Sequence, residues 1–409
     1  MSSEPRGVLN GAIADWRASG CPICGSRDVE DYFDVPSIPI DAGACFSSAE
    51  EARKAPMGRI CLAICRECGY IGNRTFDYTH ISFGTRYDIS LHHSPSFQAF
   101  LESTARRLVE SYDIRNKTIV EVGCGTGHFL RLICQMGNNK GIGIDPSVPR
   151  VGTESCGTRD VTFIRDLYDE KYGRYDADLV CSMQMFNLLP DPLGFLKLIR
   201  RNIGTRRNTV MYLEIPNAEY QYDGPIKWNV FFEYASLFHA VSLKRAFVAA
   251  GFKVLECRSF YEGNQYLYVD AVPDSDPGDG KAAGTEGVSP AFLEQIANFS
   301  RRYKEAEVAW KERIHSLERA GKKVVGWGAG GRGVFFFNAV KADAFIPYVV
   351  DINPNRQHAY LPGTGQKIVP PEFLLSYKPD VIVVTHSTYV GEITRQVREM
   401  GLQSEIVSI

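Results

Sequence analysis

The stretch Glu121-Val122-Gly123-Cys124-Gly125-Thr126-Gly127-His128-Phe129-Leu130 decides the reading of this chain. Before it, Lys117-Thr118-Ile119-Val120 reads as a β-strand; after it, Phe129-Leu130-Arg131-Leu132-Ile133-Cys134 reads as a helix. Glycines allow the sharp turn between them and leave no side chain between the main chain and a ligand. In open α/β sheets such strand-to-helix loops hold nucleotide-like cofactors. A second strand, Lys140-Gly141-Ile142-Gly143-Ile144, ends at Asp145, where a carboxylate can accept hydrogen bonds from both hydroxyls of a ribose. A nicotinamide loop spaces its glycines Gly-x-Gly-x-x-Gly. Here Gly127 follows Gly125 by two positions rather than three, which disfavours that cofactor.

Further strands are expected at Val161-Thr162-Phe163-Ile164, Asp176-Ala177-Asp178-Leu179-Val180-Cys181-Ser182 and Thr209-Val210-Met211-Tyr212-Leu213-Glu214. Phe252-Lys253-Val254-Leu255-Glu256 and Tyr266-Leu267-Tyr268-Val269 close the set. Alternation of strands and helices predicts an α/β fold with a mostly parallel, doubly wound sheet. Glu-x-Gly-x-Gly-x-Gly followed by an acidic strand end resembles the class I S-adenosylmethionine (SAM) methyltransferases. That resemblance implies SAM cradled by Gly123, Gly125 and Gly127, its ribose on Asp145, and Glu121 supporting the loop or the methionine amine. Asp166 would stand near the adenine amino group with Leu167 as an apolar wall, and Gln184 and Met185 would face the methyl donor.

The chain has 409 residues, enough for two or three domains. Its hydrophobic fraction of 44% is ordinary for a protein with a sizeable core. A net charge of -2 gives no support for nucleic-acid binding. No apolar run approaches the roughly 18 residues of a membrane span, and the polar start Met1-Ser2-Ser3-Glu4-Pro5-Arg6 is not followed by a secretory core. The expected setting is cytoplasmic, with no membrane and no nucleic-acid partner, as monomer or homodimer. There a disulfide framework among the 11 cysteines is not expected.

Cys21-Pro22-Ile23-Cys24 and Cys65-Arg66-Glu67-Cys68 are two Cys-x-x-Cys knuckles, each followed by a glycine. Two knuckles complete a tetrahedral four-sulfur site, so Cys21, Cys24, Cys65 and Cys68 are expected to hold a structural Zn2+ with no open position. A redox pair is the alternative; Cys45 and Cys61 read as ordinary thiols. Residues 1–82 would form this zinc-binding domain with the start of a substrate lid, whose ring-bearing residues include Phe83, Tyr87, His92 and His93. Residues 83–275 would be the cofactor domain and 276–290, rich in Gly, Pro and Asp, a linker. Residues 291–409 begin with a charged amphipathic helix, read as a solvated connector, with coiled-coil pairing as the alternative. A second α/β unit follows at Lys323-Val324-Val325-Gly326-Trp327-Gly328-Ala329-Gly330-Gly331-Arg332-Gly333. Its glycine amides and helix N-terminus suit a diphosphate, with Arg332 adding charge; a purely structural role is the alternative.

Zinc knuckles, a SAM domain and a small Rossmann-like unit, in that order, resemble the three-domain C-methyltransferases that act on nucleotide-linked deoxysugars. Val325-Gly326-Trp327-Gly328-Ala329, Asp351-Ile352-Asn353-Pro354-Asn355-Arg356-Gln357 and Leu361-Pro362-Gly363-Thr364 carry the similarity. By that resemblance the acceptor is a nucleoside-diphosphate keto sugar, methylated at carbon through an enolate. The family's base lies in a Tyr/His-Glu-His-x-Ser-Tyr-Phe segment, matched here by Phe232-Glu233-Tyr234-Ala235-Ser236-Leu237-Phe238. Glu233 is kept, but Tyr234 replaces the histidine, and a phenol titrates near pH 10 when unperturbed. His239, Tyr87 and His93 are further candidates for the base, since imidazole is tuned to neutral pH. An O- or N-methyltransferase needs less help with deprotonation and is a second expectation. A non-catalytic SAM- and nucleotide-binding scaffold is a third.

Overall fold

Among the described residues, three sheets carry the chain. A computed structural model describes residues 19–81, 93–275 and 287–409. Strands β1 (Val29–Pro39), β2 (Met57–Cys65) and β3 (Ile71–Asn73) form an antiparallel sheet beside the cysteine knuckles. The central sheet is built from β4 (Thr118–Val122), β5 (Lys140–Ile144), β6 (Gly152–Cys156), β7 (Arg159–Ile164), β8 (Leu179–Met183) and β9 (Val210–Pro216). The two-residue strand β10 (Ser236–Leu237) leaves it to pair with β3. Then β11 (Phe252–Phe260) and β12 (Tyr266–Pro273) complete the eight strands, in the order β11-β12-β9-β8-β4-β5-β7-β6.

The four pairings around β4 are parallel, while β6 on β7 and β12 on β9 and β11 are antiparallel. This is the class I SAM methyltransferase fold expected from the sequence. Its middle strands are covered on both faces, which is why they read as unbroken apolar runs: every residue of β9 is buried. The third sheet holds β13 (Val324–Trp327), β14 (Tyr348–Val350), β15 (Lys367–Val369), β16 (Val381–Val384) and β17 (Glu405–Ser408), all parallel, in the order β15-β14-β13-β16-β17.

Local chemistry sets the helix ends. Asp191 caps the helix Pro192–Ile203, its carboxylate accepting from Gly194 N at 2.8 Å, with proline in the first turn and Gly204 at the end. The helix Pro290–Arg319 departs from the expected solvated connector. Phe292, Ile296, Phe299 and Tyr303 are buried along one face. Phe299 and Tyr303 pack on Phe33 with ring centroids 4.9 and 5.0 Å apart, and Phe299 meets Tyr222 at 4.8 Å. The helix thus ties the first sheet to the segment after β9. No helix among the described residues is long and apolar enough to cross a membrane.

Candidate active site

A cavity of about 920 Å³ runs between the two glycine loops. At one end, β4 delivers the chain into Gly123–Gly127 and then into the helix His128–Gly137. Gly123, Gly125 and Gly127 all have positive φ, which side chains rarely adopt. A Cβ on Gly127 would lie 2.1 Å from the Phe163 ring, whereas one on Gly125 would meet nothing within 4 Å. The first glycine seats the loop on the sheet; the second faces open space. Asp145, at the end of β5, holds the loop from outside: Gly125 N donates to its Oδ2 at 2.9 Å, and Ser147 N and Oγ donate to its Oδ1 at 2.6 Å each.

This end is acidic. Glu121, Asp145, Asp166 and Glu214 line it, and the cavity's two arginines belong to the other unit. Glu121 is buried, and its Oε2 has no hydrogen-bond partner. Burial, then the charge of Asp145, pushes its carboxyl well above the ordinary value. Glu214 accepts from Gln184 Nε2 and from the Tyr212 hydroxyl, each at 2.8 Å; burial raises it to about 7 against those bonds. Asp166 is committed within the protein, accepting from Leu167 N, the Tyr172 hydroxyl and Lys171 Nζ. Burial pulls its carboxyl up, but the Lys171 and Tyr172 bonds win and hold it below the usual value. Leu167, Gln184 and Met185 also line the cavity, and Met185 packs under Gly123.

The residues present fit SAM. A buried carboxylate with one oxygen unpartnered, an open glycine and a ring of carboxylates suit a ligand bearing a sulfonium and an ammonium. The four cysteines fit a metal equally well. Their sulfurs lie within 4.8 Å of one another, with Cys21–Cys68 and Cys24–Cys65 at 3.6 Å. A tetrahedral zinc with sulfur ligands needs sulfurs about 3.8 Å apart. Gly25 and Gly69 turn the knuckles with positive φ, their amides donating to Cys21 O and Cys65 O. Cys45 lines the cavity and Cys61 lies on β2, both apart from the cluster.

The wall between the two ends is the segment 231–234. Phe231, Glu233 and Tyr234 line the cavity, joined from the first module by Ala42, Cys45 and Tyr78. Pairing of β10 with β3, and the bond from Asn73 N to Ala235 O at 2.9 Å, pins this segment in place. Burial raises the Tyr234 phenol well above its ordinary value, the nearby Arg332 opposing and Glu233 adding to the effect. That shift favours the neutral phenol, a hydrogen-bond donor, over the phenolate that a base would need. His239 does not line the cavity. Its Nδ1 accepts from Val241 N at 2.9 Å and caps the helix Ala240–Ala249, while its ring abuts Gly69 of the cysteine module. His93 does line the cavity. Tyr87 and His92 lie outside the described residues.

At the far end, β13 enters Gly328–Gly330 and the helix Gly331–Val340. Gly330 is the N-cap, so no side chain caps this helix, and a Cβ there would meet nothing within 4 Å. Asp351 repeats the role of Asp145, accepting from Ala329 N and from Asn353 N, both at 2.8 Å. Arg332, 9% exposed, donates to Gln265 Oε1 at 3.4 Å and lies over the Tyr220 ring. Among the described residues no carboxylate pairs with it. His386 beside it is half-buried, its Nδ1 buried without a partner; burial, then Arg332, lowers its imidazole well below the ordinary value.

Residues 96–257 match the family described as "Methyltransferase domain", and residues 289–405 the one described as "C-methyltransferase C-terminal domain". The chain is a SAM-dependent methyltransferase. Among solved structures, a SAM-dependent methyltransferase from Aquifex aeolicus is 17% identical over 44% of this chain and 94% of its own, with a TM-score of 0.32. Magnesium protoporphyrin IX methyltransferase from Synechocystis, with bound SAM, is 14% identical over 44% and 80%, TM-score 0.33. CalO1, a methyltransferase in calicheamicin biosynthesis, is 15% identical over 43% and 55%, TM-score 0.33. No curated protein matches the chain.

Three features of the methyltransferase site were not singled out from sequence as site residues: Glu214, Asp41 and Arg356. Glu214 had a signal, a charged residue inside the apolar run Val210–Pro216. Arg356 stands inside the Asp351–Gln357 signature, which marks the segment but not its meeting with Glu233; Asp41 had no signal, because the chain brings both to Glu233 only through tertiary packing.

Proposed function

We propose that the enzyme methylates a nucleotide-linked keto sugar at carbon, through an enolate. The observation that carries this reading is the single cavity joining the two glycine loops, acidic at one end and holding the buried, carboxylate-free Arg332 at the other. Bound SAM supplies an electrophilic methyl group. Gly123, Gly125, Gly127, Asp145, Glu121, Leu167 and Gln184 would hold it, with Asp166 ordering the adenine wall through Lys171 and Tyr172. At the far end, the uncapped amides after Gly330 together with Arg332 suit a diphosphate. An acceptor spanning the two loops lays its sugar against Phe231, Glu233 and Tyr234. Glu233 takes the proton next to the ketone, and Tyr234 donates a hydrogen bond to the carbonyl oxygen; His93 lines the same cavity.

Deuterium wash-in tests this. A nucleotide-linked keto sugar incubated with enzyme and no SAM, in heavy water, should exchange the proton beside its ketone. Methyl transfer without any exchange would overturn the enolate and favour the O- or N-methyl reading, for which the replacement of imidazole by Tyr234 speaks. SAM binding with no S-adenosylhomocysteine formed would favour a non-catalytic scaffold. We also propose that the four cysteines hold zinc in a structural role, on the strength of their sulfur spacing.

A further inference from the structure

Glu233 is 2% exposed, and its carboxylate does not stand alone. Ala42 N donates to Oε1 at 3.0 Å, and the Gly43 amide also donates to it. The side chain of Asp41, from the same turn, is in hydrogen-bond contact with it. Asp41 accepts from the Gly43 and Ala44 amides, yet its Oδ1 is buried with no amide, alcohol or cation donating to it. Two carboxyls in contact, one with an unsatisfied oxygen, lack a donor between them. A proton held by one of them is that donor, since two buried carboxylates side by side resist ionising together. Asp41 does not line the cavity; Glu233 does.

We propose that Asp41 and Glu233 share one proton, with Glu233 the base that takes the acceptor's proton and Asp41 a positioning residue that keeps Glu233 basic. This rests on the reading that an acceptor must be deprotonated, at carbon or at oxygen, and names how.

Charged and titratable groups face Glu233 from every side. Asp41 comes from the first module, Tyr234 from its own segment, and the buried Arg356 from the C-terminal unit, anchored by Nη1 on Ala329 O at 2.7 Å. Burial first, then the Asp41 charge, pushes Glu233 up to about 8, with the amides and Arg356 opposing. Tyr234 stays protonated and His239 is turned away, so within residues 232–239 Glu233 is the group whose proton changes hands near neutral pH. In the step, the acceptor's proton moves to the Glu233 carboxylate. The electron pair left on the acceptor atom bonds the methyl carbon of SAM, and the sulfur keeps the pair of the broken C–S bond. Glu233 then loses its proton to solvent. Charge balances: one carboxylate and one sulfonium become a carboxylic acid and a thioether.

The test needs no acceptor. Infrared spectra of the full-length protein, titrated in light and heavy water, should show a protonated-carboxyl band that disappears with a midpoint near 8. Glu233→Gln should remove the band. Asp41→Asn, or Asp41→Ser where the amide does not fold, should move the midpoint down by about one pH unit or more. Arg356→Met should move it up. With a nucleotide-linked keto sugar, the acid limb of the turnover profile should follow the same shifts. A midpoint that stays at its wild-type value without Asp41, or no band titrating above the ordinary carboxylate range, overturns the pair. SAM calorimetry on each variant separates this from failure of the methyltransferase reading: loss of the pair leaves SAM binding intact.

Discussion

The two glycine loops are built alike and charged oppositely. In each, a buried parallel strand turns through glycines into a helix whose N-cap is a glycine. In each, an aspartate ending the neighbouring strand accepts one loop amide and one amide of the turn that follows it, through Asp145 in the first and Asp351 in the second. Each also has one glycine open to the cavity, Gly125 and Gly330. The first loop, however, is ringed by Glu121, Asp166 and Glu214, whereas the second unit brings Arg332 and Arg356 to the cavity, with Glu392 as its one further carboxylate. Fold sets where main-chain amides point; the few side chains around them set which sign of ligand they receive. On the proposed function, one architecture would serve a cation at one end of the cavity and an anion at the other.

Metal removal is the harshest way to break the comparison. The turn 41–45 hangs from the first module and closes the cavity between the loops. Structural zinc contributes on the order of 10 kcal/mol to folding in small modules. Stripping it with a chelator should unfold the first module and abolish turnover. SAM should still bind to the central sheet. A chelated protein that keeps its melting profile and activity would show that the cysteines hold no structural metal.

Next in size is Asp145→Ala. It removes the carboxylate that orders Gly125 and that, on the proposed binding, would take the ribose hydroxyls; charged hydrogen bonds contribute about 1.5–3 kcal/mol each. SAM affinity by calorimetry should fall about 100-fold. Asp351→Ala should leave it unchanged. Unaltered SAM affinity in the first variant would end the assignment of the acidic loop as the cofactor end.

Much of this was legible because it is local. Spacing of Gly123, Gly125 and Gly127, the acidic end at Asp145 and the doubled cysteine knuckles each specify a structure within a few residues, and the structure has each in place. What the sequence withheld depends on distant segments meeting. Ser236–Leu237 is too short to read as a strand, yet its pairing with β3 pins the segment that carries Glu233. Asp41 and Arg356 stand more than a hundred residues from Glu233 on either side. The helix Pro290–Arg319 is a different failure. Phe292, Ile296, Phe299 and Tyr303 recur at helical spacing, an apolar stripe that its many charges disguised.

Arg332→Met sharpens the comparison through opposite signs. A buried cation without a carboxylate costs stability, and replacing such a group with an apolar one of similar size stabilises by about 1 kcal/mol or more. The free variant should melt higher than the wild type. Its affinity for a nucleoside diphosphate should fall about 10- to 100-fold and lose part of its salt dependence, while SAM binding does not change. A variant that melts lower and binds the nucleotide normally would mean that Arg332 serves the fold alone.

The smallest expected effect lies in proton release. Burial and the charge of Asp145 hold the Glu121 carboxyl well above its ordinary value in the free site. A cationic ligand beside it favours the ionised form and lowers that value. Binding therefore expels a proton, and affinity for SAM rises with pH between the bound and free values, by at most about tenfold per pH unit. Calorimetry in two buffers of different ionisation heat should show a release of up to one proton per SAM, and Glu121→Gln should abolish it. At the other end the anion meets guanidinium groups, which keep their protons throughout this range. Nucleoside diphosphate binding should then show only the ionisation of the phosphate itself, with no contribution that Arg332→Met removes. Equal proton release at both ends, surviving both substitutions, would mean that the charges around the two loops do not choose their ligands.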